Sequence, residues 1–428
     1  MWHGKSKFVR RCSTFALPVV LSLAAFAAAS CTAVTAKPIP PPPTLTISPA
    51  NGSQGVLPGS TIIVSARHGK LRNVTVATAA GLVSGHLAAD GTWRSASQLT
   101  PGTNYKVTAT AIGMSQKKVT TSSVFQTLTP RHTFRATITT LGTDPNISSE
   151  IADREFGVGI PITIMFSHPV SNRAAVERAI QLRTSKPVVG AWNWQDAKTV
   201  IFRPRQYWPQ HTTVQVDGNF DGVEVAPGVY GDRDVHLSFS IGPSLVVVAS
   251  TRTHYMKVYY RNRLFGRWPI STGRPGDDTP NGTYLTTFKN NPQLMTGPGY
   301  SLEVPWSVDF TYSGSFIHDA YWSVGEQGLT NVSHGCVNTS PAHAETYYKI
   351  EHPGDPVTVT GSPAAGRAGN GWTEWFISWS KWLRGSATGD AVVAGPTGSS
   401  LVSPAALSAT TLGAPLYQPR AGNAHANA

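Results

Sequence analysis

Short runs of alternating apolar and polar residues, each cut off by Gly, Pro or Asn, recur through most of this 428-residue chain and constrain its fold more than any other feature. A period of two puts one face of each run in a core and the other in water, so the chain is mainly β and built of layered sheets. In residues 44–129 the runs are Leu45-Thr46-Ile47, Thr61-Ile62-Ile63-Val64, Val74-Thr75-Val76 and Tyr105-Lys106-Val107-Thr108-Ala109-Thr110. In residues 130–242 they are Ile160-Pro161-Ile162-Thr163-Ile164-Met165-Phe166, Thr199-Val200-Ile201-Phe202 and Thr213-Val214-Gln215-Val216, interrupted by a short helical patch around 174–182.

Both segments have the strand and turn pattern of immunoglobulin-like β-sandwiches. Trp192 and Trp194 alternate with Asn193 and are assigned to the second core, carbohydrate stacking being the alternative. A third unit, 243–362, opens as a meander with Leu245-Val246-Val247-Val248, a second run from Met256 to Tyr260 and a turn at Arg261-Asn262. Its stretch from Thr272 to Gly282 is rich in turn residues but has neither the glycine fingerprints nor the Lys-Ser/Thr ending of a phosphate loop. Ser340 and Pro341 make an N-cap and first position for a helix to about Ile350, and Pro356-Val357-Thr358-Val359 closes the unit as a strand. In 363–385, Trp372, Trp375, Trp379 and Trp382 recur at steps of three and four, with Phe376 and Leu383 near the same face. This predicts an amphipathic helix docked on the third unit, with a glycan or membrane contact as the alternative. Residues 386–428 hold few large apolar side chains and are expected to be disordered.

The chain begins with the layout of an export signal. In residues 1–31, Lys5, Lys7, Arg10 and Arg11 precede a mostly apolar core of small residues that is short for a bilayer span. Ala28-Ala29-Ser30-Cys31 is similar to a lipoprotein cleavage box with Cys31 as the lipidation site; plain cleavage and a retained anchor are the other outcomes. All three place the rest of the chain on the envelope side of the cytoplasmic membrane, behind a stiff Pro-rich linker at 32–43. Losing the signal lowers the formal charge from +12 to 12 − 4 = +8. Lys and Arg are scattered, with no basic helix and no zinc-finger spacing, so an anionic envelope is the expected partner and nucleic acid is not.

Of the three cysteines, Cys12 and Cys31 lie in or at the end of the signal, which leaves Cys336 as the thiol of the mature chain. A lone thiol in an exported protein, flanked by His334 and Gly335, points to a nucleophile before it points to a small buried hydrophobe. Such a nucleophile needs a base and a set of N–H donors for the oxyanion. Two histidines qualify as the base: His334, two residues from the sulfur, and His318, which ends an apolar run and could face the sulfur from a neighbouring strand. The chain has no His-Glu-x-x-His and no paired-cysteine spacing, so neither a metal nor another cofactor is expected.

His318, a gap of fourteen residues, and then Ser333-His334-Gly335-Cys336-Val337-Asn338 resembles the signature of the L,D-transpeptidases, the YkuD-domain family. Ser313-Gly314, Ser323-Val324-Gly325-Glu326-Gln327-Gly328 and the order of anchor, two immunoglobulin-like domains, catalytic domain and C-terminal Trp-rich helix resemble its mycobacterial-type members. The resemblance implies a cysteine acyltransferase of peptidoglycan. It would cut a stem tetrapeptide between the L-centre of diaminopimelate and D-Ala, then pass the acyl group to a second stem as a 3→3 cross-link, without a cofactor. It makes Cys336 the nucleophile, His318 the base and acid, and the Asp319 carbonyl the group that orients the imidazole. Backbone N–H groups of His334, Gly335 and Cys336 would form the oxyanion hole. Tyr300, Ser313, Gly314 and Asn338 would line the substrate pocket, and carbapenems would be covalent inhibitors. In several family members a Ser follows the histidine; the carboxylate of Asp319 here is expected to raise the pKa of His318. Water in place of the amine acceptor would make an L,D-carboxypeptidase, and an inert third unit would leave a non-catalytic wall-tethering lipoprotein. Papain-like folds are excluded by order, since they place the nucleophile before the histidine.

Overall fold

The computed structural model describes residues 40–140, 155–297 and 299–407. The export signal with Cys31, most of the Pro-rich linker and residues 408–428 lie outside the described residues.

The first sandwich packs two sheets of four strands. One runs in the order Thr44–Ser48, Ile63–Arg67, Trp93–Ser95 and Gly85–Leu87; the other runs Gly81–Leu82, Gly69–Thr78, Asn104–Gly113 and Lys118–Gln126. Alternation does the sorting: along Asn104–Gly113 the residues Tyr105, Val107, Ala109 and Ala111 are buried, while Lys106, Thr108 and Thr110 point outward. The second sandwich faces a six-stranded sheet against a four-stranded one, Glu155–Phe156, Val235–Ile241, Thr213–Gly218 and Ile180–Thr184. Trp192 and Trp194 are core residues here, 1% and 8% exposed. The helical patch is shorter than the sequence suggests: the helix covers Arg173–Ala179, and Ile180–Thr184 already alternates as a strand.

Two expectations about the C-terminal region are corrected. Residues 386–407 are ordered, and the strands Ala391–Gly395 and Gly398–Val402 form a hairpin that extends the second sandwich's sheet, with Val188 opposite Ala394 and Gly190 opposite Val392. What holds them is edge pairing and a buried carboxylate, neither of which requires bulky side chains. Glu177, 1% exposed, accepts from Trp194 Nε1, Ala387 N–H, Ser386 Oγ, Thr388 N–H and Thr388 Oγ1 at 2.7–3.3 Å. The tryptophans do not form one helix. A 3₁₀ turn at Glu374–Phe376 and a helix at Trp379–Leu383 are separated by Ile377, in extended conformation, and Ser378. Nor is the third unit their main support. Trp382 is fully buried and donates to Ala191 O at 2.9 Å, Trp375 donates to Gly159 O at 2.9 Å, and the buried Arg203 guanidinium lies 4.5 Å from the Trp375 ring and 4.8 Å from that of Trp382. All three partners belong to the second sandwich, whereas Phe376 reaches the third unit, with its ring 5.0 Å from that of Tyr284.

The third unit has a five-stranded sheet, Arg263–Pro269, Tyr255–Tyr260, Leu245–Ser250, Pro356–Thr360 and Gly282–Leu285. Arg261 and Asn262 both take positive φ, 52° and 62°, the geometry a two-residue hairpin turn needs. A second sheet, Lys289–Asn290, Ser307–Asp309, Phe316–Asp319 and Val337–Thr339, carries the candidate site. The helix Pro341–Ile350, capped by Ser340 Oγ accepting from His343 N–H, packs against it.

Candidate active site

The strands Phe316–Asp319 and Val337–Thr339 pair in parallel, with Ile317 opposite Val337 and His318 opposite Asn338. That register sets Cys336, the residue just before the second strand, and His318 on adjoining strands that line one cavity, although eighteen positions separate them in sequence. The loop that delivers the sulfur is tied at Ser333, Gly335 and Cys336. Ser333 N–H donates to Thr272 O at 3.0 Å, Ser333 Oγ donates to Cys336 O at 2.7 Å, and Thr279 Oγ1 donates to Gly335 O at 2.9 Å. Gly335 has φ +117°, a conformation that a side chain would strain, so glycine is required there.

His318 is buried, and its Nδ1 lies 2.7 Å from the carbonyl oxygen of Asp319. A carbonyl only accepts, so Nδ1 carries the proton and Nε2 is left as a base. Burial pushes the His318 pKa down to about 4, only partly offset by that hydrogen bond. The expected upward push from the Asp319 carboxylate is therefore overturned. Asp319 is itself buried with Oδ1 unpartnered, and burial raises its own pKa, so it holds its charge weakly. Burial likewise pushes the Cys336 thiol up to about 11, against a lowering from Phe316 N–H and with a further rise from nearby Asp309. The thiol donates to Gly314 O at 3.7 Å. Between about pH 4 and 11 the resting pair is thus a neutral thiol and a neutral imidazole, not a thiolate beside an imidazolium.

The sulfur and the imidazole line a cavity of about 240 Å³ together with Tyr300, Trp322, His334 and Asn338. Asn338 is held in that lining by its Nδ2, which donates to Ser323 Oγ at 3.0 Å. One wall is the hairpin Gln293–Gly297 and Tyr300–Val304, which contributes Met295, Tyr300 and Leu302. The Tyr300 ring stacks on His334 at 5.2 Å, so the His334 imidazole supports the wall. Ser313 and Gly314 stand outside the cavity wall, and Gly314 approaches the sulfur only through its carbonyl. Of the three proposed oxyanion donors, Gly335 N–H is already given to Ser333 Oγ at 3.2 Å, while those of His334 and Cys336 have no partner among the described residues. Sequence reasoning missed Trp322, whose ring stacks on His318 at 5.9 Å after the 3₁₀ turn Tyr321–Ser323 folds it back. It also missed Met295 and Leu302, whose hairpin alternation was the available signal.

Residues 53–224 match the family described as bacterial Ig domain, and residues 244–359 match the L,D-transpeptidase catalytic domain. L,D-transpeptidase 2 of Mycobacterium tuberculosis is 33% identical over 359 residues, which cover 81% of this chain and 85% of the relative. L,D-transpeptidase 5 of the same species is 35% identical over 364 residues, covering 81% and 78%. A solved structure of M. tuberculosis L,D-transpeptidase 3 with a faropenem-derived adduct shares 31% identity over 49% of this chain and 95% of its own, with a TM-score of 0.40. Bacterial Ig and catalytic-domain matches in this order, with identity to full-length relatives across four-fifths of its length, make the chain a member of the L,D-transpeptidase family.

Proposed function

We propose that the protein forms 3→3 cross-links in peptidoglycan through an acyl-enzyme on Cys336, with His318 as base and acid. The observation that carries this reading is one cavity lined by both the free thiol of the described residues and an imidazole whose Nδ1 is tied to a carbonyl. As the sulfur attacks the carbonyl carbon of the diaminopimelate L-centre, the S–H proton passes to His318 Nε2. The tetrahedral oxyanion is held by the free N–H groups of His334 and Cys336. Collapse breaks the C–N bond, and His318 returns the proton to the departing D-Ala amine. The acceptor stem's amine then attacks the thioester, His318 takes its proton, and the thiolate leaving group recovers it. A β-lactam ring, opened by the same thiol, would leave a stable adduct. The export signal supports action on the envelope side of the membrane, with Cys31 as a lipid anchor.

The test is incubation with a diaminopimelate-containing disaccharide tetrapeptide, with the products resolved by mass. Cross-linked dimer and free D-Ala are expected. Shortened monomer alone would make the protein a hydrolase, and no turnover would leave it a tethering protein.

The neutral resting pair has its own consequence. A thiol pushed up to about 11 exposes little thiolate at neutral pH. Alkylation of Cys336 by iodoacetamide should therefore rise by roughly tenfold per pH unit from 6 to 9. A rate already flat across that range would show a preformed thiolate–imidazolium pair and contradict the proton path above.

A further inference from the structure

Ser313 is bound from outside the catalytic sheets, by the segment that follows them. Its N–H donates to Asn370 Oδ1 at 2.9 Å, and Asn370 Nδ2 donates back to Ser313 Oγ at 2.9 Å. Within the turn, Thr311 Oγ1 accepts from Ser313 Oγ at 3.3 Å and from Ser315 N–H at 2.8 Å, and Gly314 N–H donates to Thr311 O at 3.0 Å. This small framework presents the Gly314 carbonyl, on a residue with φ +86°, to the Cys336 thiol. Asn370 is itself held close. Gly371, at φ +96°, lies so near the turn that a Cβ there would meet Phe310 O at 2.9 Å. Gly369 N–H donates to Thr373 Oγ1 at 2.9 Å, and further on Trp375 is pinned to Gly159 O and packs 4.5 Å from the Tyr207 ring of the second sandwich.

We infer that Asn370 is a positioning residue for the nucleophile: it clamps the turn 311–315 at two points, so that the Gly314 carbonyl fixes where the Cys336 sulfur rests. The inference rests on the reading of Cys336 as the nucleophile. Neither Asn370 nor Ser313 reaches the cavity wall, so the clamp acts through the turn and not on substrate. Without it the turn loses both hydrogen bonds to Asn370 and keeps those of Thr311 with Ser313, Gly314 and Ser315. A carbonyl oxygen against the sulfur favours S–H over S⁻, so a loosened turn makes the thiolate easier to form. The same loosening lets the sulfur leave the place from which it attacks, and small misplacements of reacting atoms are costly. The two effects move reactivity in opposite directions, depending on whether the reagent needs a positioned sulfur.

The test uses the full chain with Asn370→Ala and Asn370→Asp, and reads two rates at Cys336: iodoacetamide alkylation across pH and acylation by a carbapenem. In Asn370→Ala, alkylation at a given pH should rise by about threefold or more while acylation falls by about tenfold, with the half-saturating carbapenem concentration unchanged. Asn370→Asp keeps the acceptor for Ser313 N–H and puts a second acceptor in place of the Nδ2 donor, toward which the Ser313 O–H can turn from Thr311 Oγ1, and it should recover most of the acylation rate. An Asn370→Ala protein equal to the unsubstituted chain in both rates would overturn the inference. So would changes that track a lowered melting temperature and are not recovered by Asp, since that pattern marks a purely structural contact. If the unsubstituted chain is not acylated by carbapenem or stem peptide, the proposed function falls, while the alkylation profiles still decide for or against the clamp.

Discussion

Alanine in place of His318 should slow acylation of Cys336 by about 10²–10⁴-fold, the usual cost of losing a general base. The geometry makes the loss specific. Nδ1 is committed to Asp319 O, the imidazole is neutral down to about pH 4, and no second base occupies its place on the strand Phe316–Asp319. With the thiol pushed up to about 11, Cys336 cannot supply its own thiolate at neutral pH. His334→Ala should cost far less, because that side chain stacks on Tyr300 while the loop is held by Ser333 Oγ, Thr272 O and Thr279 Oγ1. Acylation rates of the two variants, measured by intact mass under single-turnover conditions, separate the roles. Equal losses would mean that His334 shares the proton transfer.

Deleting residues 386–428 is expected to destabilise the second sandwich strongly. The deletion removes Ser386, Ala387 and Thr388, which supply four of the five hydrogen bonds to the Glu177 carboxylate, Trp194 Nε1 supplying the fifth. A carboxylate that is 1% exposed in the full chain then exchanges four of its five donors for water, a loss of about 1.5–3 kcal/mol or more for hydrogen bonds to a charged group. Removing the strand Ala391–Gly395 also uncovers the edge of Val188–Trp194 and gives up the buried side chains of Val392 and Ala394. For a unit of this size the melting temperature should fall by on the order of 10 °C. Glu177→Ala in the full chain, which leaves the backbone of the hairpin in place, should reproduce part of the fall. A truncated chain that melts with the full-length protein would show that the hairpin contributes nothing to the fold.

How far the sequence could be read depended on whether the deciding physics was local. The helix after Ser340-Pro341 and the turn at Arg261-Asn262 are set by capping and backbone preferences within a few residues, and both were legible. The pairing of Cys336 with His318 was legible because a short motif carries it, though the parallel register that makes it real is visible only in the fold. The Trp-rich segment was misjudged because its periodicity reports an apolar face and not its partner. That partner, Arg203 with Ala191 and Gly159, is far away in sequence. The hairpin at 391–402 was missed because small residues and glycines read as low complexity, and its anchor, Glu177, looks like any surface acid on a short helix. Trp322 enters the site through a 3₁₀ turn and Asn370 reaches only the turn behind it, from a returning segment, and neither leaves a periodic trace.

Cys336 is expected to carry the donor stem as a thioester before any acceptor arrives. Intact-mass analysis of the full chain after brief exposure to a disaccharide tetrapeptide, followed by peptide mapping, tests it directly. One adduct is expected, equal to the donor minus D-Ala, located on the peptide containing Ser333-His334-Gly335-Cys336 and absent in Cys336→Ser. Turnover without such an adduct, or an adduct on any other residue, would contradict it.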